Sequence, residues 1–203
     1  MVITERFTDF NRTLPELEEL IMFSVAVAGK NAANISRALD VFFRGLDAND
    51  IEPAPFAYVD LLARKGKLRK ELERARLGKY TLLTKSWAQL FHSGIDLKTC
   101  SVDELESIHG IGPKTARMFV LHSRPDIRVA VLDVHILKYM REELGLIVPK
   151  STPGGRKYLE IEKQFLIHCD DMEIENIAEF DLALWERYRT KNNKGNSDKF
   201  LAG

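Results

Sequence analysis

At 203 residues, 45% hydrophobic and 30% charged, the chain is long enough for one large domain or two small lobes and has a globular composition. No apolar run approaches the roughly 18 residues that span a bilayer, and the N-terminus lacks the apolar core of a signal peptide, so an intracellular protein with no membrane partner is expected. Thirty basic residues balance thirty acidic ones; that does not advertise a polyanion binder, yet the cations gather in 64–79 and 187–199, and acids in 170–175.

Helical periodicity dominates from the start. Residues 14–28 carry apolar side chains at Leu17, Leu20, Ile21, Val25 and Ala28, with Glu16, Glu18 and Glu19 near the end where carboxylates suit the helix dipole. Asn34 is the expected cap of a helix over 35–46. Pro53 and Pro55 break the pattern ahead of a helix at 56–63. Gly66 separates that helix from a charged one at 67–77, and Gly78 reads as the stop. Residues 80–93 form another helix, stopped by Gly94. Ser101 with Glu104 three residues on is a capping box, opening a helix that runs to Ile108. A Gly-Ile-Gly turn joins it to a helix over 114–122. Residues 128–132 have a weak strand-like alternation. Helices follow at 132–144, at 156–170 after a loop over 149–155, and at 177–190; the polar stretch 191–203 is expected to be a mobile tail. The fold class is all-α, without an internal repeat.

Cys100 and Cys169 are too few for a disulfide framework or a four-cysteine iron–sulfur cluster. The five histidines stand singly, without zinc-site spacing, so no metal site is expected.

The chemistry concentrates in two stretches. Gly110-Ile111-Gly112-Pro113-Lys114-Thr115-Ala116 reads as a tight hairpin opening a helix, with Lys114 on its first turn. Glycine allows positive φ or close backbone approach without a Cβ clash. N–H groups exposed at a helix N-terminus hold an anion. Through Gly110, Gly112 and Thr115, the helix-hairpin-helix over 101–122 is a candidate grip on a DNA phosphate that reads no sequence. Downstream, Val129-Ala130-Val131-Leu132-Asp133-Val134-His135 sets a carboxylate before a helix. Taken alone, Asp133 is a helix cap.

Taken together, the lysine-bearing hairpin and Leu132-Asp133-Val134-His135 resemble the helix-hairpin-helix–Gly/Pro–Asp superfamily of DNA glycosylases. Residues 156–163 and 179–185 look like the C-terminal half of the compact, cluster-free 8-oxoguanine DNA glycosylases of archaea, which have bacterial and viral relatives. The likeness covers most of 80–190 and is thinner before that. It implies two helical lobes around a DNA-binding cleft, one glycosylase unit over 1–203 and a Lys/Asp site at 110–135. It further implies a monomeric DNA glycosylase/AP lyase that needs no cofactor and acts on double-stranded DNA carrying a damaged base or an abasic site. Lys114 would attack C1′ of a flipped-out nucleotide, its amine neutral at that moment, and the Schiff base would lead to β-elimination. Asp133 would cap its helix and also stabilise positive charge on the sugar as the base departs. His135, in the family's Asp-x-His, would serve structure or contact a phosphate.

Several residues keep two readings. Trp185 matches the aromatic that stacks on the extruded base in the compact group, and among Phe180, Leu182 and Leu184 it also reads as core. Lys30 and Asn31 fall in the turn that fills the gap left by the flipped nucleotide in relatives; simple helix punctuation explains them as well. Lys150 and Arg156 flank a glycine-rich turn suited to DNA or lid contact. Lys79 and Lys85 are candidate phosphate contacts on a face otherwise laced with i,i+4 pairs. The compact group's C-terminal lysine, which helps recognise the base, has no obvious match here, so the same chemistry on another damaged base stays open. So do a non-catalytic helix-hairpin-helix DNA-binding module and a helical interaction domain with no nucleic-acid role.

Overall fold

The computed structural model of the chain describes residues 7–47 and 54–200. All regular structure among them is helical: α1 (Leu14–Val27), α2 (Ala32–Asp47), α3 (Pro55–Arg64), α4 (Leu68–Arg74), α5 (Tyr80–Ser93), α6 (Val102–Glu106), α7 (Pro113–Ser123), α8 (Val134–Glu142), α9 (Gly155–Asp171) and α10 (Ile177–Phe200). The chain divides into two compact units, the first ending at Pro125 and the second starting at Asp126. Pro53, expected to break the chain before α3, lies outside the described residues.

The first unit is organised on α1. Between Leu17 and Ala26 only Glu19 escapes burial, because α2, α3, α5 and α7 all pack on this helix. A segment carrying Leu20, Ile21, Met22 and Val25 is stable only when covered on most sides. Beside it, the Phe42 ring of α2 meets Tyr58 of α3 and Trp87 of α5 edge-on, both with centroids 5.4 Å apart. Gly45 leaves room for that cluster, since a Cβ there would collide with the Tyr58 phenol.

Two acids of α1 have separate duties. Glu16 accepts from the Thr13 N–H at 2.7 Å and the Thr13 hydroxyl at 2.8 Å, closing the helix's own first turn. Glu18 accepts instead from the Phe56 N–H at 2.9 Å, in the first turn of α3. Burial outweighs that bond and raises the Glu18 pKa.

Several expected boundaries move, and contacts explain two of them. The cap of α2 is Asn31, whose Oδ1 accepts from the Asn34 N–H at 3.1 Å; Asn34 itself accepts from the Arg37 guanidinium at 2.6 Å. The charged helix α4 stops at Arg74 rather than at Leu77. Arg76 adopts a left-handed φ of 57°, and the Leu77 N–H reaches back to the Leu72 carbonyl at 3.1 Å, a helix-ending bond pattern. The stop therefore precedes Gly78. Helix α5 has the expected bounds, with Gly94 left-handed after it.

In the second unit α8 packs on α10, and Tyr158, Phe165, Cys169 and Tyr188 are buried. Burial pushes the Cys169 thiol up to about 11. Residues 128–132 form no strand. Their backbone is held by side chains of α9 and its preceding loop: the Ala130 N–H donates to Glu162 (2.9 Å), the Leu132 N–H to the Tyr158 hydroxyl (3.0 Å), and that hydroxyl to the Ala130 carbonyl (2.7 Å). Thr152 donates to the Leu132 carbonyl at 2.8 Å. Helix α10 runs on to Phe200, so 191–200 carry helical backbone where a tail was expected. Among the described residues no helix is long and apolar enough to cross a membrane, and no group of His, Cys, Asp and Glu is placed to hold a metal ion.

Candidate nucleic-acid interface

The hairpin is built from α6, a tight turn and α7. Ser101 opens α6 as expected: its hydroxyl accepts from the Glu104 N–H at 3.1 Å, and Glu104 accepts from the Ser101 N–H at 2.7 Å. The two helices are joined by a contact the sequence did not reveal. Arg117, almost wholly buried on α7, meets Glu106 of α6 at 2.7 Å and also donates to the Pro113 carbonyl at 3.3 Å.

The turn leans on α5. The Gln89 side chain accepts from the His109 N–H at 2.8 Å and donates to the Ser107 carbonyl at 3.4 Å. One turn of chain further, Gly110 has φ of 82°, and a Cβ there would stand 3.0 Å from Leu82. Gly110 thus needs to be glycine on both counts. Gly112 does not: its backbone is extended, φ −100° and ψ 178°, with nothing within 4 Å of a Cβ. The requirement expected of both glycines holds at the first only.

Helix α7 starts at Gly112 as N-cap, followed by Pro113, which has no N–H, then Lys114 and Thr115. Lys114 is half-buried on the first turn. The Thr115 side chain is buried, so what this residue can offer a phosphate is its N–H rather than its hydroxyl.

Lys30 and Asn31 close the turn between α1 and α2 in the same unit. Asn31 caps α2 in the place expected of Asn34, while the Lys30 ammonium donates to the Leu77 carbonyl. Lys79, the left-handed N-cap of α5, sends its own ammonium to the Ala28 carbonyl. Burial first, then the charges of Lys30 and Lys114, push the Lys79 pKa down. These three lysines are therefore electrostatic neighbours.

The remaining candidates lie in the second unit. Asp133 caps α8, its Oδ1 accepting from the His135 N–H at 2.7 Å and the Ile136 N–H at 2.9 Å. The His135 ring meets the Trp185 ring edge-on, with centroids 6.4 Å apart. Trp185 is half-buried beside the buried Leu184, with Tyr188 buried further along, and its ring packs against α8 through His135. Lys150 is exposed on the loop before α9, and Arg156, also exposed, pairs with Glu160 at 3.3 Å. Asp133, His135 and Trp185 thus form one connected group, and Lys150 and Arg156 stand apart from it in sequence. Gln89 and Arg117 gave no sequence signal, since a polar residue within a helix looks the same whether or not it braces a turn.

A family model described as the helix-hairpin-helix motif matches residues 95–122, which take in α6, the turn and α7. The fold is all-α and carries this motif, an element whose glycine turn and helix N-terminus suit a DNA phosphate. No curated protein and no solved structure matches the chain.

Proposed function

We propose that the chain is a DNA glycosylase/AP lyase of base excision repair, acting on 8-oxoguanine in duplex DNA. The observation that carries the reading is Lys114: a half-buried amine on the first turn of the hairpin's second helix, beside the elements that grip phosphate. A lysine there can work as a nucleophile. Its neutral amine attacks C1′, the C1′–N bond breaks, and the base leaves with the bonding pair and takes up a proton. Loss of a proton from nitrogen and opening of the sugar give the imine; removal of a C2′ proton then expels the 3′ phosphate. The carboxylate of Asp133 stabilises positive charge on the sugar in the first step. Its place at the start of α8 supports the role, because the cap bonds orient it. Trp185, half-exposed and braced by His135, supplies a face on which an extruded purine can stack. Gly110, Gly112, the Thr115 N–H, Lys30, Lys150 and Arg156 contact the DNA backbone.

A second reading rests on the matched motif alone: a non-catalytic helix-hairpin-helix module that binds DNA. Borohydride trapping on duplexes containing one 8-oxoguanine or one abasic site separates the two. A covalent adduct on both, lost in Lys114→Gln, is the expected result. An adduct on the abasic duplex alone keeps the lyase and reassigns the base. Strand cleavage unchanged in Lys114→Gln would overturn the nucleophile, and no adduct on either duplex would leave the binding module.

A further inference from the structure

Two turns remote in sequence exchange their lysines, and the charge of a third lysine acts on one of them. Lys30 lies in the α1–α2 turn, Lys79 at the start of α5 and Lys114 on the first turn of α7. The first two are held by exchange: the Lys30 ammonium donates to the Leu77 carbonyl beside Lys79, and the Lys79 ammonium to the Ala28 carbonyl beside Lys30. Gly78 completes the fit, since a Cβ there would collide with the Lys30 ammonium. Both amines are thus fixed before any ligand arrives.

The charge balance at this place is one-sided. Among the described residues, the charges that act on Lys79 are those of Lys30 and Lys114. Elsewhere in the same unit cations sit beside acids, as in Arg64–Asp60, Arg69–Glu73, Arg74–Glu71 and Arg117–Glu106. Like charges held together are unfavourable unless an anion joins them. The ligand's nature follows from the support. Helix α5, which starts at Lys79, also carries Leu82 under Gly110 and Gln89 against Ser107 and His109. The lysines and the phosphate-binding hairpin therefore share one rigid base, and a polyanion that meets the hairpin meets the lysines.

We propose that Lys30 and Lys79, next to Lys114, form a preformed site for backbone phosphates of the DNA strand that lies on the hairpin. Lysine suits this task as a point charge that holds phosphate without reading bases. The assignment rests on DNA as the partner and not on Lys114 acting as a nucleophile.

The test is the salt dependence of binding to an undamaged duplex, measured by fluorescence anisotropy. Each phosphate neutralised contributes about 0.9 to the slope of log binding constant against log salt. Lys79→Met should flatten the slope by about 0.9 and Lys30→Met/Lys79→Met by about 1.8. Lys79→Arg should keep the wild-type slope, and so should Lys163→Met, a change at an exposed lysine of α9 outside the hairpin. Thermal melts identify any variant that loses its fold, and the Lys79→Arg comparison then decides on charge alone. Wild-type slopes in both methionine variants would overturn the site. A slope lost equally in Lys79→Arg would also overturn it, because charge would not be the cause. If the wild type itself fails to bind duplex, the DNA reading falls together with this one.

Discussion

The two hairpin glycines should respond in opposite ways to alanine. At Gly110 the backbone is left-handed, which costs an L-residue roughly 1–2 kcal/mol. The new methyl would also press on Leu82 at 3.0–3.3 Å, a flexible side chain that can give by a few tenths of an ångström. A loss of about 2 kcal/mol follows, or a Tm roughly 4–8 °C lower for a chain of this size. At Gly112 the backbone suits any residue and the space is open, so alanine should be neutral or stabilise by about 0.4–1 kcal/mol through the unfolded chain. Binding should invert the order of interest. If a phosphate approaches the N-terminus of α7, the Gly112 methyl stands in its path, and Gly112→Ala should weaken duplex binding in a fully folded protein. Thermal melts and anisotropy on the two variants test both halves. Equal destabilisation would refute the backbone argument, and wild-type binding by Gly112→Ala would refute the approach of a phosphate at that residue.

Three further outcomes are expected. Asp133→Ala should lose about 1 kcal/mol of stability with the α8 cap, whereas Asp133→Asn should keep the cap and, on the proposed glycosylase reading, slow base excision by orders of magnitude in single-turnover assays. Tyr158→Phe strands the Leu132 N–H and the Ala130 carbonyl and should cost about 1–3 kcal/mol in urea melts; an unchanged midpoint would show that the segment before Asp133 is held by Glu162 and Thr152 alone. The Tyr188 phenol is pushed up to about 12 by burial, then by its 2.6 Å hydrogen bond to Glu143. Its proton is bound more tightly folded than unfolded, so its contribution is whole below about pH 10 and lost as the pH climbs towards 12. Stability measured across that range should fall less steeply in Tyr188→Phe.

Local signals in the sequence located most helices, and longer-range contacts decided where they depart from expectation. The Ser101–Glu104 capping box is complete within four residues, and it formed where the sequence placed it. Asn31 and Asn34 are equally good caps on paper; only the folded turn, in which Lys30 reaches Leu77, selects the first. Gly78 looked like the stop of α4 because glycine favours left-handed backbone, but Arg76 took that conformation two residues earlier, with Leu77 buried beyond it. The alternation at 128–132 suggested a strand, but its buried end, Ala130 to Leu132, runs without a strand partner. Tyr158, Glu162 and Thr152 satisfy its backbone in place of a neighbouring strand. Of the candidate site, Lys114 on the first turn of α7 and Asp133 before α8 could be placed from local pattern. The gathering of Lys30, Lys79 and Lys114 could not, since it depends on how three turns pack.

The bond from Glu18 to the Phe56 N–H separates the start of α3 from its own upstream neighbours. A helix usually carries its starting signal with it; α3 has its signal stored in α1. The dependence runs the other way for α1. A change at position 18 acts on a helix that begins almost forty residues later, so variation at Glu18 should be read together with the start of α3 at Phe56 rather than with the rest of α1. For a protein engineer, that makes α3 a poor choice for transplantation without α1.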